Sequence, residues 1–183
     1  QWIVSLFALG LLAGTVGFIS AAHNKKVVTQ EAPPPPSEPP AEVVYSAFFH
    51  FVVELQRQAA ELDNEGQEGY FLRDYVKTQT GLTDQEARRL GEISAACVEA
   101  VSQQDGKALV VIQKFRSQFP GGRIPAGVKI PPPPPELKVL QQERNQIILA
   151  AKGKLAIALG ETSFDRVATF ARSRITFNSQ PIP

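Results

Sequence analysis

"VVYSAFFHFVVELQRQAAEL", residues 43–62, carries its apolar side chains at the pitch of a helix. Val44, Phe48, Phe51, Val52, Leu55, Ala59 and Leu62 recur at three- and four-residue spacing and form one wide apolar stripe. A second group, Tyr45, Phe49, Val53 and Ala60, lies beside it. Only Ser46, His50, Glu54, Arg57 and Glu61 remain as a polar strip. A helix with so little polar surface is either central in a bundle or turns an apolar face to a partner. The central position is favoured for the helix as a whole. Tyr45, Phe49 and Val53 are the residues a partner would touch.

Moving towards the C-terminus, Asn64 and Gly66 suit a turn, and "GYFLRDYVKTQTG" (residues 69–81) predicts a short second helix. Phe71, Leu72, Tyr75 and Val76 would face inward, with Gly81 as the stop. At "LTDQE", Thr83 and Glu86 have the spacing of a capping box, and Asp84 favours the positive end of the helix dipole. The helix they open is expected to run to about Phe119 along Ala87, Leu90, Ser94, Cys97, Val101, Gln104, Ala108, Val111 and Phe115. Gly106 is its weak point and a candidate kink, costing about 1 kcal/mol relative to alanine. Small side chains at Gly91, Ser94, Ala95 and Cys97 would admit another helix closely.

"PGGR", residues 120–123, stops that helix, and five prolines, Pro131 to Pro135, precede the next. Pro135 suits a first helical position, because the amide it lacks would have had no partner there. Leu137, Leu140, Arg144, Ile147, Ile148, Ala151, Leu155 and Ala158 share one side, and Gly160 ends the run. A last helix from about Ser163 would bury Phe164, Val167, Ala171 and Ile175. Residues 119–135 read as a stiff strap across the bundle, touching it through Ile124, Val128 and Ile130. Polyproline geometry carries Gly127 to Pro135 over about 28 Å, the length of roughly nineteen helical residues.

Towards the N-terminus, "TQEAPPPPSEPPAE" (residues 29–42) reads as an extended spacer. Before it, residues 2–22 carry no charge and form a membrane-directed leader. Ser20, Ala21 and Ala22 offer a peptidase site before His23, whereas the length suits a retained anchor; both outcomes stand. Gly10 and Gly14 make one G-x-x-x-G match. The expected organisation is a leader over 1–22, a spacer over 23–42, an all-α bundle of four to five helices over 43–177, and a frayed tail over 178–183.

Nineteen basic residues against eighteen acidic ones give a net charge of +1, which argues against nucleic acid as a partner. Cys97 is the only cysteine, so no internal disulfide forms, and a buried helix position is its expected place. Glu61, Asp63, Glu65 and Glu68 invite a calcium reading that fails on spacing, with Glu68 where an EF-hand loop needs glycine. His50 has no second histidine or cysteine nearby in sequence to share a metal. One body histidine and one cysteine do not assemble the common hydrolytic or metal-dependent sites, so no catalytic residue, metal ligand or cofactor is assigned. Glu54, Glu61, Asp74, Glu92, Glu99 and Glu143 would have to converge in space to build a carboxylate site.

"LTDQE" is similar to the LTxxQ motif of periplasmic stress proteins of the Spy and CpxP type. Here Glu86 stands at the fifth position with Gln85 beside it, and "LGETSF" (159–164) is at most an echo of a second copy. That resemblance implies a helical periplasmic chaperone with a cradle-like surface. More broadly, "FLRDY", "GLTDQEA", "FRSQFPGGRIP", "PPPPPELKVLQQERNQIIL" and "LGETSF" resemble an exported bacterial family without an assigned activity. The expected function is therefore a non-enzymatic, chaperone-like binding module of the cell envelope, with a protein or an unfolded polypeptide as partner. The alternative is a scaffold held at the membrane by residues 2–22.

Overall fold

A computed structural model describes residues 38–122 and 131–176 of the chain. The leader, nearly all of the spacer, the contacts assigned to Ile124, Val128 and Ile130, and the tail lie outside the described residues. Within them 85% of residues are helical and there is no strand. Five helices follow in order: α1 (Ala41–Asn64), α2 (Tyr70–Arg73), α3 (Tyr75–Thr80), α4 (Asp84–Arg116) and α5 (Pro135–Thr176), with a single 3-10 turn at Pro120–Gly122.

Local chemistry sets most of the boundaries. The Pro40 carbonyl accepts from the amides of Val43 and Val44 and so starts α1. Gly66, at φ 73°, turns the chain after it. The acidic cluster then acts as a turn lock: Asp63 Oδ1 accepts from the Gly69 amide at 3.0 Å, and its other oxygen pairs with Arg73. A Cβ on Gly69 would lie 2.1 Å from the Ala59 carbonyl oxygen, so the chain passes close enough there to require glycine. The capping box of α4 is present in full, with Thr83 Oγ1 accepting from the Glu86 amide and Glu86 Oε2 accepting from the Thr83 amide at 2.7 Å. Pro135 is the first residue of α5.

Three expectations are corrected. The stretch 69–81 is two short helices, broken at Asp74, and the break rotates Phe71 out to 54% exposure, against the neighbouring Tyr70 ring. Leu72 and Tyr75 are half-buried, and Val76 is buried as expected. At Gly106, α4 continues without a break and ends at Arg116 rather than Phe119. The third correction concerns α1. Tyr45 is 4% exposed and Phe49 0%, so neither belongs to an open face, and Val53 is only half-buried.

The reason lies in α5. Gly160, at φ 70° and ψ 167°, breaks that helix into two arms, residues 135–159 and 161–176, with a backbone that glycine alone adopts readily. The second arm returns over α1. Phe164 stacks on Tyr45 with ring centroids 6.2 Å apart, and Phe170 meets both Phe48 and Phe51. Covering α1 in this way gives one core built on Phe49, Leu90, Ile148, Leu155 and Val167.

The first arm of α5 runs antiparallel to α4. Side-chain pairs tie the helices together: Gln104 with Glu143 at 2.5 Å and Arg144 with Asp105 at 2.9 Å along the first arm, and Ser163 with Glu86 at 2.6 Å at the start of the second. The α1 helix packs against both. Gly91 is buried against α1, and a Cβ on it would lie 2.3 Å from Gln56 Nε2.

Candidate functional site

On the side of the α4–α5 pair turned away from α1, the two helices leave a trough. Its walls come from positions at helical spacing, 93, 96 and 100 on α4 and 147, 150 and 154 on α5. Ile93, Ala100 and Ile147 are half-buried, Ala96 and Ala150 are exposed, and Cys97 and Ala151 close the floor. The volume is about 460 Å³. Alanine at three wall positions makes the trough: larger side chains would fill the space between the helices.

The trough is continued at one end. Towards the start of α4 it meets a hollow of about 540 Å³ lined by Gln85, Glu86, Arg89, Lys154, Ile157 and Ala158. Ile157 stands at its edge with 87% of its surface in solvent. At its other end the trough stops at Ala100 and Ile147; beyond Gln103, Lys107 and Glu143, Val110 and Val139 are exposed by 64% and 52%. Glu92 and Lys154 line the central section as its charged pair of opposite sign.

The remaining chemistry-bearing side chains are dispersed. Burial pushes the Cys97 thiol above its ordinary range, which keeps it protonated at neutral pH despite the opposing field of Arg144. His50 is exposed. Among the described residues no three His, Cys, Asp or Glu side chains gather to hold a metal. The six carboxylates singled out in the sequence do not converge on one site. Glu54 and Glu61 flank the Arg57 guanidinium, and the hydrogen bonds from Arg57 and Gln58 hold Glu54 down at about 2. Asp74 pairs with Lys77, Glu99 accepts from Gln103, and Glu143 accepts from Gln104, while Glu92 lies in the trough. Wherever a carboxylate is shifted among these and their neighbours, it is shifted down by a cation or a hydrogen-bond donor. No protein-family profile, curated protein or solved structure matches the chain.

The structure thus separates the sequence-chosen contact residues from the surface that is open. Tyr45 and Phe49 are core, whereas Ile157, Ala96 and Ala150 at the trough are exposed, as are Val43, Tyr70, Phe71, Leu109, Val110, Val139 and Leu149 elsewhere. The sequence signal for the trough was present in Ile93, Ala96, Ala100, Ile147 and Ala150, one stripe on each helix. Alanine suits any helix face, so the stripe does not declare itself until the register of α4 against α5 is known.

Proposed function

We propose that the chain is a non-enzymatic binding module of the cell envelope that works by polypeptide contact along the α4–α5 trough. One observation carries the reading: an apolar trough walled by Ile93, Ala96, Ala100, Ile147 and Ala150, with exposed Ile157 in the hollow at its end, runs between α4 and α5 with no residue of α1 in its lining. Isolated exposed apolar residues are ordinary, whereas a contiguous stripe is the kind of surface that proteins use to bind one another. The charge-free leader supports delivery to the envelope, and the spacer supports standoff from a membrane. A chaperone-like role suits a wall of small apolar side chains, which accepts many sequences without demanding one shape.

Photo-crosslinking in the native envelope tests this. A crosslinking residue at Ala150 or Ile157 is expected to form adducts with polypeptide, and one at exposed Arg57 on α1 is expected to form none. Equal yields at all three positions, or no adduct from the trough, would remove the proposal.

A further inference from the structure

We infer that the trough is covered by a second copy of this chain, the two copies running parallel about a two-fold axis that lies along α4 and α5. This rests on the reading of the trough as a polypeptide-binding surface and names its partner. The contacts Gln104 to Glu143 and Asp105 to Arg144 establish which residues of the two helices share a level. In three places the stripes carry opposite charges within about one helical turn of each other, Glu92 and Lys154, Lys107 and Glu143, and Lys114 and Glu136, while Arg89 and Lys154 share a sign at the hollow. A two-fold axis along the helices keeps levels and exchanges helices. It therefore sets α4 of one copy over α5 of the other and brings the charges of these three pairs to opposite ones, making that part of the face complementary to itself.

The other two-fold, across the helices, inverts the levels and sets α4 over α4 and α5 over α5, so that Glu92 and Lys154 would not meet between copies. Size agrees with a stable pair. From residue 89 to residue 114 the face is about 38 Å long, and two helices about 9 Å apart make it roughly 700 Å² per copy, close to the ~800 Å² a side of ordinary specific interfaces. Alanine at 96, 100 and 150 lets the facing helices approach, and Ile157, Val110 and Val139 gain cover. A parallel pair also starts both α1 helices at the same end, as two chains tethered to one membrane surface require.

The test uses two differently tagged copies of the full chain in detergent micelles. Wild-type copies are expected to co-purify. Glu92→Lys places two lysines at one level and Lys154→Glu places two acids there, so each variant is expected to co-purify with itself about tenfold less. Mixing the two variants restores both intermolecular pairs while each chain keeps its own internal mismatch, and wild-type recovery is expected. Lys114→Glu mixed with Glu136→Lys should behave alike. All four side chains are exposed, and unchanged far-ultraviolet dichroism verifies the fold. Absence of wild-type co-purification overturns the inference. So does equal recovery in every combination, which would locate self-association elsewhere, or a mixed pair no better than its parents. If trough crosslinks then lead to a different polypeptide, self-pairing fails and the binding reading stands; if there are no trough crosslinks, both fail.

Discussion

Glu86 performs three tasks with one carboxylate. It accepts from the Thr83 amide, accepts from the Thr83 hydroxyl, and reaches across to accept from Ser163 at the start of the second arm of α5. Donation by Ser163, then by Thr83, holds its pKa below the ordinary 4.5. A depressed carboxylate pKa contributes stability that is fully present above the unfolded-state value and is lost as pH falls through the folded-state value. Wild-type stability is therefore expected to decline as pH drops below about 4.5. Glu86→Gln keeps the shape and an acceptor but removes the charge. At neutral pH it is expected to cost about 1 kcal/mol, small because solvent reaches the group. Its acid limb should be shallower than that of the wild type but not flat, since Asp63, Asp84 and Glu54 are depressed in the same direction. Urea titrations from pH 7 to pH 3 check this, and parallel curves for the two proteins would refute it.

Helix continuity separates two glycines that look alike in the sequence. Gly106 and Gly160 both have open space where a Cβ would go. Gly106 lies inside unbroken α4, so Gly106→Ala is expected to stabilise by up to about 1 kcal/mol. Gly160 sits at φ 70°, ψ 167°, and Gly160→Ala is expected to cost about 1–3 kcal/mol with no clash to explain it. Opposite shifts in urea midpoint are the outcome sought, and shifts of the same sign would contradict the argument. The sequence declared the elements whose limits are local: the Thr83–Glu86 box, the Gly81 stop, Pro135 at a first position, and Gly160 as an end. It did not declare the break at Asp74, because "YFLRDYVKTQT" holds neither glycine nor proline and helices this short depend on their tertiary contacts. Nor did it show that Tyr45 and Phe49 are covered. Periodicity gives a face of α1, whereas what lies on that face depends on where Gly160 sends the second arm. The trough escaped for the same reason, since it exists only between two helices in one register.

At the scale of the whole molecule, the fold closes where α1, α3 and the second arm of α5 meet. Phe51, Tyr75 and Phe170 form a triangle of rings with centroids 6.1 to 6.5 Å apart. The Arg174 guanidinium lies 4.4 Å from the Phe51 centroid, 5.2 Å from that of Tyr75 and 5.5 Å from that of Phe170, and its Nη2 donates to the Tyr75 hydroxyl at 3.0 Å. One side chain near the end of the described chain thus ties together three elements far apart in sequence. Arg174→Gln removes the cation and the planar contact, a loss of about 1–2 kcal/mol at a solvent-facing site. Arg174→Lys keeps the charge but not the flat stack or the forked donors, so its loss should be intermediate. Because the tie acts on the second arm, amide exchange over residues 161–174 is expected to quicken by about five- to thirtyfold, while the centre of α4 keeps its protection. The trough belongs to α4 and the first arm, so partner binding should survive the change. Equal acceleration in α4 and the second arm would mean that Arg174 supports the entire core, and that the arm does not open as a unit of its own.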